Sequence, residues 1–316
     1  MPSWRKTRWW FTNPCQAMAQ PLTRLLSGVV LATLAVLGGC AFPPPRDSGA
    51  LTVSRLQTLL PADALLLGET HDNPDHQRIH REVVEALAAR GELAALVLEM
   101  TVQGSTTQGW RSEDSQARLA RGDPDPGDPQ RLSEPDVRSA LNWDDRAWSW
   151  AAYQPAIMAA VRAGVPVIGA NLPRSQMREI MREASFDTRL SGPSLKAQQQ
   201  LIRNGHCNLL PESQVTPMTR IQIARDVAMA QGIVNAVQPG KTVVLLAGSG
   251  HVDKQLGVPQ HLPTSLKVTA VRLEADGSEV LQKQFDPSIA FDSVWPTLPA
   301  QPKDYCAGLS STLRTP

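Results

Sequence analysis

The chain is short of tyrosine, cysteine and surplus charge, and each shortage narrows what it can be. Tyrosine occurs twice and cysteine four times in 316 residues, and the formal charge is only +1. A chain so close to neutral offers no basic field for phosphates, so nucleic acid is excluded as a partner. There is no His-Glu-x-x-His, so a metal reading has to rest on residues brought together from distant positions rather than on that local motif. No internal repeat of solenoid length is visible, which excludes repeat architectures. What remains is enough chain for one large domain, or for one domain with an insertion.

The N-terminus reads as an export signal. Arg24 precedes thirteen uncharged residues, Leu25 to Leu37, and then Gly38-Gly39-Cys40. That run is too short to span a bilayer comfortably, and a basic, apolar and small-residue order marks a cleaved signal. Leu37-Gly38-Gly39-Cys40 resembles the lipobox of bacterial lipoproteins, whose cysteine is lipidated and becomes the first residue. The expected organisation is therefore a lipoprotein signal peptide over 1–39, lipidation at Cys40, a tether over 40–50 containing Pro43-Pro44-Pro45, a domain over 51–300, and a tail over 301–316. Ala41 stands where inner-membrane retention would place aspartate, so the expected address is the outer membrane, facing the periplasm. Cleavage removes Arg5, Lys6, Arg8 and Arg24 with no acid, and the charge falls by four to −3. Cys207 and Cys306 then remain as an even pair in an oxidising compartment. A disulfide between them is expected, with two unrelated thiols as the other reading.

Within the domain, four apolar runs end in polar residues. Ala64-Leu65-Leu66-Leu67 leads into Gly68-Glu69-Thr70-His71, and Thr242-Val243-Val244-Leu245-Leu246-Ala247 leads into Gly248-Ser249-Gly250-His251. Leu96-Val97-Leu98 ends in Glu99, and Val165 to Ala170 ends in Asn171. Short apolar runs bounded by turn residues predict strands buried on both faces. The polar residues would then sit at the C-terminal rim of a parallel sheet, where such sheets bind ligands. Asn73-Pro74 opens an amphipathic helix to Arg90, because asparagine caps and proline lacks an N–H that would be orphaned there. The fold class is thus α/β, a mainly parallel sheet flanked by helices. Periodicity weakens after Glu99, so residues 101–142, with the run Asp123-Pro124-Asp125-Pro126, are expected to form a helical insertion, a smaller all-helical subdomain over the strand ends. Helical patterning resumes over Trp143–Ala163, where Pro155 is expected to kink the helix or start a new one. Further helices are expected over Pro173–Asn204 and Pro217–Val237, and a last strand over Leu266–Leu273, followed by a tail without periodicity.

Read together, Gly68-Glu69-Thr70-His71-Asp72-Asn73, Leu98-Glu99-Met100, Trp143-Asp144-Asp145 with Tyr153-Gln154-Pro155, Gly169-Ala170-Asn171-Leu172-Pro173-Arg174, Gly205-His206-Cys207, Gln222 with Arg225-Asp226, and Gly248-x-Gly250-His251 resemble the ChaN family of haem-binding lipoproteins. The resemblance implies haem captured between two protomers, a homodimer when loaded, in iron acquisition beside an outer-membrane haem receptor. It also implies kinship with Tiki proteases and erythromycin esterases, in which paired Gly-x-x-His motifs and a glutamate are catalytic.

Two chemistries follow. In the first, the resemblance implies a tyrosine ligand to haem iron, and Tyr153 lies within its motifs. Asn171 and His206 would line the haem site, and Arg174 or Arg225 would pair with propionates. Covalent attachment is excluded for want of Cys-x-x-Cys-His. In the second, His71 and His251 with Glu69 or Glu99 hold zinc or another divalent metal, and a carboxylate acts as base in hydrolysis. The binding protein is the preferred reading and the metal-dependent hydrolase the alternative. A non-catalytic interaction module is the third, and a purely structural role for His71 and His251 is the plain alternative to either chemistry. His76 and His80 have metal-capable spacing but read as solvated positions of a surface helix.

Overall fold

In the sheet, side chains alternate between two apolar layers, as the sequence pattern requires. Leu65 and Leu67 enter one core cluster and Leu66 the other; Leu96 and Leu98 oppose Val97, and Val244 and Leu246 oppose Leu245. All are buried, so each strand is apolar on both faces. Fully burying one such leucine stabilises by about 1.5–3 kcal/mol. The computed structural model describes residues 48–110, 132–275, 290–301 and 303–307. The signal peptide, Cys40, most of the tether and the Asp-Pro run lie outside the described residues.

Six strands, β1 (Ala64–Glu69), β2 (Leu93–Val102), β3 (Val167–Asn171), β4 (Thr242–Gly248), β5 (Val268–Ala275) and β6 (Ser293–Thr297), lie in the order β3-β2-β4-β1-β5-β6. Every pairing is parallel. Parallel pairing requires crossovers, and helices supply them on both faces. On one face pack α1 (Ser48–Leu59), α2 (Pro74–Ala89), α3 (Glu134–Ala140) and α4 (Trp150–Arg162), contributing Leu56, Val83, Leu87, Val137, Ile157 and Val161 to the core. After α5 (Gly192–Gly205), the long α6 (Glu212–Ala236) covers the other face with Met229, Ala230 and Ile233. Asn73 caps α2 by accepting a hydrogen bond from the Asp75 amide at 2.9 Å.

Several expectations change. Residues 111–131 of the insertion lie outside the described residues, but β2 runs on to Val102, and α3 buries Val137 and Leu141 in the main core. The smaller helical cluster instead involves Leu172, Ile180, Ile221, Ala224 and Ala228. The helix α4 runs through Pro155 rather than starting at it. The segment expected to be an unpatterned tail supplies β6, an edge strand whose Pro296 withholds one N–H. His76 and His80 are buried, so they do not occupy a solvated face.

Candidate functional site

The C-terminal ends of β1, β2 and β4 converge. Glu69 ends β1, Glu99 lies near the end of β2, and Gly248 ends β4. Two close approaches make this possible. A Cβ on Gly68 would stand 2.3 Å from Val252 Cγ2, and one on Gly257 would stand 2.1 Å from the His251 carbonyl oxygen. Glycine is therefore required at both: at Gly68 the turn after β1 meets the loop after β4, and at Gly257 the chain folds back on His251.

Glu69 is buried, and its carboxylate accepts from the Tyr153 hydroxyl at 2.6 Å and bonds His71 Nδ1 at 2.7 Å. The buried His80 stands 3.6 Å from its other oxygen. Burial lowers the His71 pKa, but Glu69 and Glu99 outweigh it and the net shift is upward. Across the rim, His251 lies between Asp226 at 2.6 Å on Nδ1 and Glu99 at 3.3 Å on Nε2. Burial opposes its protonation, yet the two carboxylates push its pKa up to about 10. Burial would raise Glu99, but the His251 imidazolium holds its carboxyl far below the usual range. The Gly248 amide donates to Glu99 at 2.7 Å, and the Asn171 side chain donates to the Glu99 carbonyl at 2.8 Å. His71 Nε2 stands 3.9 Å from Glu99 and links the two halves. A continuous chain of groups thus runs from Tyr153 through Glu69, His71, Glu99 and His251 to Asp226.

Only one end of this chain opens to solvent. A cavity of about 920 Å³ is lined by Glu69, His71, Trp148, Tyr153, Arg272 and Tyr305, among others. The His71 side chain is 38% exposed there, with its ring edge-on to Trp148 at 4.7 Å. His251, buried under Gln222 at 3.2 Å, does not line the cavity.

The structure brings Glu69, His71, Glu99, Asn171 and His251 together at the rim and places Tyr153 in the cavity wall, whereas Arg174, Arg225 and His206 do not line the cavity. Tyr153 is only 2% exposed, and burial followed by the Glu69 charge drives its phenol pKa well above the tyrosine range. In this arrangement its hydroxyl donates to Glu69. The Arg174 side chain is 83% exposed, 4.0 Å from Asp144 and away from the cavity. Arg225 sits on α6 with its Nε buried and unbonded, also outside the cavity lining. His206 caps α5 and bonds the Ile202 carbonyl through Nδ1 at 2.7 Å. Cys207 and Cys306 form a disulfide. For zinc, no group of three or more His, Cys, Asp or Glu among the described residues has metal-holding geometry. Both imidazole Nδ1 atoms bond carboxylates, and both Nε2 atoms face Glu99, at 3.9 Å from His71 and 3.3 Å from His251. Asp226, Trp148, Arg272 and Tyr305 were not chosen from the sequence. Asp226 carried a signal beside Gln222 on one stripe of its helix, Trp148 in a tryptophan-rich segment able to stack on a porphyrin, and Tyr305 as one of only two tyrosines; Arg272 carried none.

A family model described as haem-binding uptake, Tiki superfamily, ChaN, matches residues 55–262. The chain belongs to the ChaN family. The ChaN match includes every member of the buried polar chain and stops before β5. Among solved structures, the chain is similar to ChaN of Campylobacter jejuni, described as cofacial haem binding. The two are 26% identical with a TM-score of 0.54, over 70% of this chain and 85% of that one. The type III effector HopBA1 is 15% identical with a TM-score of 0.35, over 68% and 79%. The effector domain RRSP from Vibrio vulnificus CMCP6 is 15% identical with a TM-score of 0.37, over 77% and 39%. These two effectors are too distant to inform the ChaN site. No curated protein matches the chain.

Proposed function

We propose that this protein binds haem at the His71 cavity as part of iron acquisition. The observation that carries this reading is a half-open cavity of about 920 Å³ in a ChaN-family chain, with one accessible imidazole, His71, set against Trp148. Haem is a planar apolar ring with two carboxylates and an iron that takes a protein donor. The residues present fit it: Trp148 offers an aromatic wall, and Arg272 and Lys303 offer cations for the propionates. The cavity opens to solvent at His71, whose side chain is 38% exposed, which supports a haem shared with a second protomer. The cofacial arrangement described for the Campylobacter jejuni protein supports the same reading. The lipobox-like Leu37-Gly38-Gly39-Cys40 supports anchoring in the outer membrane, facing the periplasm, where haem would arrive from an outer-membrane receptor.

A second reading is favoured by the Glu69–His71 pair, an imidazole oriented by a carboxylate at 2.7 Å on a cavity wall. Such a pair could serve as general base in hydrolysis without a metal. A haemin titration of the purified protein separates the two. A saturable Soret change that His71→Ala weakens by about tenfold or more supports haem binding. A flat titration, with turnover of ester substrates that His71→Ala abolishes, replaces it with the hydrolase.

A further inference from the structure

The cavity has a wall that the family match does not include. Lys303 and Tyr305 line it from a short segment, 303–307, well beyond residue 262. Tyr305 is 55% exposed and donates its hydroxyl to the Asp72 carboxylate, directly after His71. Lys303 Nζ lies 3.9 Å from the same carboxylate and 5.1 Å over the Tyr305 ring. The adjoining Cys306 is bonded to Cys207, at the end of α5 and 99 residues away in sequence. Among the described residues, the polar contacts of Lys303 and Tyr305 with the body of the protein are directed at Asp72. Exposed interactions of that kind are each worth little. The covalent bond therefore does most of the holding.

We propose that residues 303–307 form a disulfide-held strap that closes one side of the cavity and contacts the bound ligand through Tyr305 and Lys303. Cleaving Cys207–Cys306 therefore releases the ligand. This rests on the haem reading above. The Tyr305 ring presents an aromatic face to a planar ring system, and the Lys303 ammonium presents a charge to its carboxylates. Burial and the Asp72 carboxylate push the Tyr305 phenol up to about 12, so the ring is neutral when ligand arrives. Opening the strap is a balanced exchange: a dithiol reductant transfers two electrons to the disulfide and becomes a disulfide itself, while Cys207 and Cys306 become thiols. The strap then loses its covalent hold, and its local opening costs less.

The test is haemin titration of four proteins by visible spectrum: the parent, Cys207→Ser/Cys306→Ser, Tyr305→Ala and Lys303→Met. A fifth sample, the parent reduced, alkylated and freed of reagent, controls for the serine substitutions. The expected result is parent binding, with affinity reduced about tenfold or more in the double-serine and alkylated samples and in Tyr305→Ala, and less in Lys303→Met. Faster haem transfer to apomyoglobin should accompany it. Urea unfolding midpoints taken on the same samples separate loss of the strap from loss of the fold. Parent binding unchanged across all samples overturns the strap. A parent that does not bind haemin overturns the haem reading itself.

Discussion

His251 is the residue on which the buried polar chain balances. It is a cation between two buried carboxylates, Glu99 and Asp226, and removing one partner from such a set leaves charge uncompensated. His251→Gln is therefore expected to cost about 3–5 kcal/mol in urea unfolding at neutral pH, with part of the loss recovered in His251→Gln/Asp226→Asn. The pH dependence follows. The folded pKa of about 10 lies above the ordinary 6.5, so the folded state binds this proton more tightly. The associated stability is complete below about pH 6.5 and is lost as pH rises toward 10. A urea midpoint that stays level from pH 7 to 10 in the parent would contradict a charged His251. Tyr153 gives the complementary case. Tyr153→Phe removes one donor from the buried Glu69 carboxylate, for an expected cost of about 1–3 kcal/mol. Its haem spectrum should match that of the parent, because the phenol faces Glu69; a lost Soret band would return Tyr153 to the iron.

At the scale of elements, the turns after β1 and β4 set the site. Gly68→Ala would force a methyl into Val252 and the Ser249 backbone, an overpacking expected to cost about 1–3 kcal/mol. Gly205→Ala, which meets nothing within 4 Å, serves as the control, and equal melting temperatures for the two would show that the turns are not in contact. These turns were legible in the sequence because apolar runs ending in Gly-x-x-His combine a strand signal with a polar stop. The parallel sheet and the rim followed from that pattern. The ligand contacts did not, since a side chain's exposure depends on packing from distant elements. Tyr153 looked available until α4 placed it against Glu69, while His76 and His80 looked solvated until α2 turned them inward. β6 was hidden for another reason: an edge strand of five residues containing proline carries too little pattern to read.

For the whole molecule, the open cavity leads to an association prediction. If two cavities close over haem, adding haemin should move the protein from monomer to dimer in sedimentation velocity, with the dimer weakened at the His71→Ala site. A loaded protein that stays monomeric would confine haem to a single cavity. The sheet order carries a different consequence. β1 and β2 are complete by residue 102, yet they share no edge; β4, beginning at Thr242, must pass between them. Until about three quarters of the chain has been made, the sheet lacks its middle strand, and the first two strands have nothing to pair through. Late delivery of the central strand keeps the sheet from closing early in synthesis.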